Sequence, residues 1–119
     1  MSAPLDSWDK AAAFTLGLPG TRLTTGRMDA VVLESNGRAV VFTGREAETS
    51  FAVMIDLGTV ETLKETEPET YWQSRHYEGY AAVLVRFDSP DPERVRRVIE
   101  QAHAQAATLK PARKRKPKA

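Results

Sequence analysis

Ala30-Val31-Val32-Leu33-Glu34-Ser35-Asn36-Gly37-Arg38-Ala39-Val40-Val41-Phe42 is the stretch on which the fold turns. Two apolar, β-branched runs flank Asn-Gly, the pair that most readily takes the two positive φ angles of a tight hairpin turn. Pairing the arms about that turn predicts Leu33 opposite Val40 and Val31 opposite Phe42 on one face of a sheet, with Val32 and Val41 on the other. Phe51, Val53, Ile55, Val83, Val85 and Phe87 join the first face. The second face then holds Val32, Val41, Ala52, Met54, Ala82 and Leu84, too apolar for the solvated side of an antiparallel sheet. A helix or loop of the same chain, or a second subunit, must cover it.

Outward from the hairpin, the neighbouring segments supply strands and helices. Upstream, Ser7 caps a helix whose Trp8, Ala11, Ala12, Thr15 and Leu16 share one side, with Gly17 at its end and Leu18-Pro19-Gly20 turning the chain. A strand stretch runs from about Thr21 into Leu33. Downstream, Phe51 to Ile55 reads as a third strand, and Asp56 caps a helix carrying Leu57, Val60 and Leu63 that Pro68 ends. Thr70 to Ser74 and Ala81 to Phe87 are two further strands. Asp91 and Pro92 open a last helix along which Val95, Val98, Ile99, Ala102, Ala106 and Leu109 recur at helical spacing. The expected architecture is α+β: a two-layer antiparallel sheet with helices, in the order α-β-β-β-α-β-β-α, forming a single domain over residues 1–109.

Composition narrows the function classes. The chain has 119 residues, 41% hydrophobic and 28% charged, which suits one core. Zero cysteines exclude disulfides, thiolate metal sites and cysteine nucleophiles, and two histidines leave little material for a metal centre. No apolar run approaches the roughly 20 residues needed to cross a bilayer, and the N-terminus lacks signal-peptide character, so a cytoplasmic location is expected. No phosphate-cradling, dinucleotide or zincin motif is present, and no cofactor is expected. Glu100-x-x-His103 has helical metal-site spacing, but such sites use the pair twice, and an exposed charged helix face explains it better.

The charge is unevenly placed. Lys110, Arg113, Lys114, Arg115, Lys116 and Lys118 give the last ten residues six positives and no acid; 17 basic residues less these six leave 11 against 16 acidic ones, so the body carries −5. Residues 110–119 repel themselves, bury nothing and contain two prolines, so a disordered basic tail is expected. Such a tail binds polyanions through counterion release, or merely solubilises. An anionic membrane surface is a weaker third reading, since no amphipathic anchor adjoins the cluster.

Between the last two strands lies Arg75-His76-Tyr77-Glu78-Gly79-Tyr80. His76 has Tyr77 and Glu78 beside it but no visible orienting scaffold, so a local hydrogen bond is the plainer role than acid-base chemistry. Tyr71, Trp72, Tyr77 and Tyr80 suit base stacking, yet aromatics so near two strands more often pack, Tyr71 and Trp72 above all.

At this loop the sequence resembles the MmcQ/YjbR family of small bacterial proteins, usually described as DNA-binding. The resemblance runs through Leu18-Pro19-Gly20, Ile55-Asp56-Leu57, Glu67-Pro68-Glu69-Thr70-Tyr71 and His76-Tyr77-Glu78-Gly79-Tyr80, followed by Val83-Leu84-Val85-Arg86, over roughly residues 5 to 108. It implies a secretion-chaperone-like fold with helices on one antiparallel sheet, and it brings no catalytic residue or cofactor. Arg75 stands where the family commonly has proline, Ala81-Ala82 where a tryptophan is usual, and Met54 where a lysine is often found.

The expected function is therefore non-enzymatic, weak, low-specificity DNA binding. It would use the tail cations Lys110, Arg113, Lys114, Arg115, Lys116 and Lys118 with Arg75, His76, Tyr77 and Arg86 around the loop. The rival is a protein-interaction or homodimerisation module that docks through the apolar second sheet face, with the tail only solubilising. A body at −5 repels a duplex, so the tail matters to the first reading.

Overall fold

The computed structural model describes residues 5–25, 31–43, 48–75 and 77–108. In chain order these form α1 (Trp8–Leu16), β1 (Thr21–Thr25), β2 (Val31–Ser35), β3 (Arg38–Phe42), β4 (Ser50–Met54), α2 (Leu57–Thr66), β5 (Tyr71–Trp72), β6 (Ala82–Arg86) and α3 (Pro92–Thr108). The six strands make one antiparallel sheet in the order β1-β2-β3-β4-β6-β5. The α+β class and helix-on-sheet layering are those the sequence predicts. The stretch after Thr21 differs in detail: it forms two strands, β1 and β2, that pair with each other. Among the described residues no helix is long and apolar enough to cross a membrane.

The hairpin forms as its Asn-Gly demands. Asn36 has φ 56° and Gly37 φ 73°, the left-handed pair of a type I′ turn whose twist matches the strands it joins. The register changes one step on. Ser35 faces Arg38 and Glu34 faces Ala39, but Leu33 faces Val41 and Val32 faces Phe42, with a bulge between. Val40 is the extra residue, so Val40 and Val41 both turn into the helix-covered core. The expected pairs Leu33–Val40 and Val31–Phe42 are thereby corrected: Val41 belongs to the first face and Phe42 to the second. An inserted residue reverses every side chain beyond it, and strict alternation does not foresee one.

Helix ends follow their capping residues. Ser7 Oγ accepts from the Lys10 N–H, and Asp91 Oδ1 from that of Arg94. Asp56 accepts from the Thr59 N–H (2.9 Å), the Thr59 hydroxyl (2.7 Å) and the Gln105 amide (2.6 Å). Those donors hold the Asp56 carboxyl below its ordinary value of 3.8. Gly17 stays right-handed at φ −73°, while the positive φ of that connection falls on Gly20 (74°).

All three helices pack on one face of the sheet. α3 lies over β2, β3 and β4, with Val95, Val98, Ile99, Ala102 and Ala106 buried against Leu33, Val41 and Val53; α2 sits on β5 and β6, and α1 on β1 and β2. Asn36 donates to the Ala106 carbonyl (2.8 Å), tying the hairpin turn to the end of α3. Tyr71 is 1% exposed within this core and its hydroxyl has no hydrogen-bond partner. Burial, and then the nearby Glu67 carboxylate, push its ionisation far above the ordinary tyrosine range.

The second face carries one row across all six strands: Thr24, Val32, Phe42, Ala52, Leu84 and Trp72. Ala52 (0% exposed), Leu84 (1%) and Ala82 (3%) are buried there, outside the helix-side cluster. Met54 on the same face is 37% exposed.

Three outcomes are expected. Leu84→Asp should unfold the domain, because a buried unpaired charge costs about 3 kcal/mol or more, whereas Met54→Asp should fold with a small loss of melting temperature. Tyr71→Phe should leave stability unchanged or raised, since it removes an unsatisfied buried hydroxyl; a drop in thermal melting would show that the hydroxyl is bonded. Asp56→Ala should cost about 1 kcal/mol near neutral pH. The folded pKa of Asp56 lies below the unfolded one, so this cap stabilises fully above the ordinary aspartate range and its benefit fades as pH falls through the folded value. Urea denaturation of wild type and variant should therefore converge in acid.

Candidate nucleic-acid interface

Trp72 and Arg86 meet on the second face. Trp72 is fixed by β5, paired to β6 through Leu84, and its indole N–H donates to Ser50 Oγ at 3.1 Å. Arg86 ends β6 opposite Ser50, and its guanidinium carbon lies 4.7 Å from the Trp72 ring centroid, within cation–π range. No carboxylate among the described residues pairs with Arg86, which is half-buried.

The loop between β5 and β6 folds back over the same face. Its clasp is Gln73, whose side-chain NH2 shares its two hydrogens among the carbonyls of Tyr77 (2.8 Å), Tyr80 (3.0 Å) and Ala82 (2.7 Å). Lys64 of α2 donates to the Gln73 amide oxygen at 2.9 Å, so a helix on the far layer orients the clasp. Two backbone turns, Tyr77 N–H to Ser74 and Tyr80 N–H to Tyr77, tighten the loop, and Gly79 supplies its positive φ of 82°. The Tyr77 ring then reaches Phe42, with centroids 6.2 Å apart and planes tilted by 57°. A loop of the same chain thus covers part of the second apolar face.

The sequence-predicted residues divide accordingly. Arg75 is exposed in this loop, and Arg86 lies at the end of β6 away from it. Tyr77 is half-buried on Phe42, and Tyr80 is the exposed loop aromatic, at 61%. His76 and the tail residues Lys110, Arg113, Lys114, Arg115, Lys116 and Lys118 lie outside the described residues. The last described turn of α3 sits on the helix side, tied to the hairpin turn. Arg86 is on the opposite face and, across four residues of β6, about 13 Å along the strand from that end. Arg86 and the last described turn of α3 are therefore on different faces of the sheet.

Sequence reasoning missed Trp72 as Arg86's partner and Gln73 as the clasp. Alternation from Leu84 to Arg86, with Trp72 opposite Leu84, could have paired the first two; nothing local marks the second.

Elsewhere, His103 donates its Nε2–H to the Pro19 carbonyl (2.7 Å), linking α3 to the turn before β1. Among the described residues no three of His, Asp and Glu could hold a metal ion together. A cavity of about 490 Å³ opens where the hairpin, the end of β4 and the last turns of α3 meet, walled by Ala39, Met54, Ala81, Ala102 and Ala106. Asp56 and Gln105 at its rim are bonded to each other, and none of the described site residues, Arg75, Tyr77 and Arg86, lines it.

Replacing Gln73 with Leu removes donors from three carbonyls, and the loop should lose its hold on the sheet. Amide exchange of residues 77–82 should rise sharply while the helix-side core stays protected. Unchanged exchange in that segment would show that the Tyr77–Phe42 contact suffices alone.

No protein-family model matches the sequence, and no curated protein sequence matches it. A solved structure does: the crystal structure of Deinococcus radiodurans protein DR2400, a DUF419 domain, superposes with a TM-score of 0.73 at 16% identity, over 91% of this chain and 83% of that one. At that identity the likeness is one of fold: this chain shares the small α+β architecture of the DUF419 domain.

Proposed function

We propose that this is a non-enzymatic protein of the MmcQ/YjbR type that binds DNA weakly and with little sequence preference, through its basic tail and the loop side of the sheet. The observation that carries the reading is Arg86, held against Trp72 with no acid among the described residues to neutralise it. A half-buried guanidinium in that position retains donors for a phosphate or a base edge. Arg75 adds an exposed cation in the covering loop. Six tail cations supply most of the attraction that a body at −5 lacks.

A rival reading, a homodimer through the second sheet face, draws support from Val32 and Phe42, which stay half-buried, and from the exposure of Met54. It is opposed by Ala52 and Leu84, already buried within one chain. Sedimentation separates the two: a monomer across a wide concentration range removes the dimer, and a dimer that Met54→Asp dissociates would favour it.

For the DNA reading, neutralising about six phosphates should give a slope of log K against log salt near −5. Deleting residues 110–119 should flatten most of it, and Arg75→Ala or Arg86→Ala should each reduce it by about 1. Equal binding of duplex DNA by full-length and truncated protein at low salt would remove the tail from the mechanism.

A further inference from the structure

The Trp72–Arg86 pair is a built surface with more to it than charge, and we propose that it stacks an unpaired base of a single-stranded nucleic acid. This inference rests on the nucleic-acid reading above and names the form of nucleic acid that the site takes.

Three observations lead there. The first is geometry. The guanidinium lies 4.7 Å from the indole centroid, and the indole is fixed by its bond to Ser50 and by the β5–β6 pairing. An arginine so held keeps few rotamers and offers a delocalised, weakly hydrated group on which a base can stack. The ordering cost of such a contact has been met within the fold.

The second is layering. All three helices sit on the opposite face of the sheet, so among the described residues the loop side presents strands and a short loop. The major groove of a duplex is entered by a helix or a projecting ribbon, and this side has neither. A sheet face with aromatic and cationic side chains suits splayed bases instead. Tyr80, 61% exposed, provides a second ring beyond the other end of β6, six residues and at most about 20 Å from Arg86. Tyr77 is engaged with Phe42 and is not part of the platform.

The third is charge. The body carries −5 without the tail, and a duplex packs one phosphate per roughly 1.7 Å of axis. A flexible single strand has lower charge density and can turn its bases toward the sheet and its phosphates outward. Stacking thus offsets electrostatics that favour neither form strongly.

The test uses the full-length protein carrying Trp8→Phe, which leaves Trp72 as the sole tryptophan. Its probes are an oligothymidine of about 12 nucleotides and a mixed-sequence duplex of equal length. The oligothymidine should quench Trp72 fluorescence and bind roughly tenfold more tightly than the duplex, the equivalent of one stacked base. Arg86→Lys keeps the charge but loses the planar surface; it should lower single-strand affinity by about fivefold or more, abolish the quenching and leave duplex binding within about twofold. Tyr80→Ala should weaken the single strand only. If both probes bind equally and Arg86→Lys behaves as wild type, Arg86 acts as a point charge: stacking is overturned while the DNA reading stands. If neither probe binds, both readings fall.

Discussion

Val40, one residue too many in β3, sets which side of the sheet its neighbours face. Opposite Leu33 the strand carries two valines where β2 has one residue, and both enter the core beneath α3. Phe42 is thereby turned to the other face, where it meets Ala52 of β4 and the Tyr77 ring. Without the bulge Phe42 would lie under the helices and the covering loop would lose the surface it closes on. The packing of α3 over both Val40 and Val41 follows from this local break in alternation.

A sheet with two apolar faces needs two covers, and this chain builds them by different physics. The helix side is buried by large side chains, from Ile99 and Val98 to Phe51, and its free energy is mainly that of apolar area removed from water. Part of the other side is covered by a loop, and a loop brings backbone groups that need partners. Gln73 supplies them, three carbonyls to one carboxamide, with Lys64 fixing the oxygen end. Hydrophobic burial thus builds one layer, and one polar side chain organises the other.

The same division shapes the electrostatics. The loop side has Arg86, while α3 ends on the helix side beside the hairpin turn. Arg86 and the last described turn of α3 thus lie on different faces of the sheet. In the proposed function the tail works as a tethered counter-charge to a polyanion, and the loop side supplies the contact with shape. A body at −5 makes that separation useful, because the attraction comes from a segment that need not share its surface.

Local chemistry was legible wherever it acts alone. Asn36-Gly37 set its turn, Ser7, Asp56 and Asp91 set their helix starts, and the apolar spacing from Val95 to Ala106 marked the buried stripe of α3. Each depends on residues within a few positions, so sequence by itself determined them, along with the α+β class and the charge split between body and tail. Tertiary structure decided the rest. The stretch from Thr21 to Ser35 supplies two strands, β1 and β2, that pair with each other, and the bulge at Val40 exchanges the faces of Val41 and Phe42, both being settled by pairing between strands. The pairing of Trp72 with Arg86 and the reach of Gln73 to three carbonyls join segments through the sheet order β4-β6-β5. No local pattern encodes contacts that exist only once those strands are side by side.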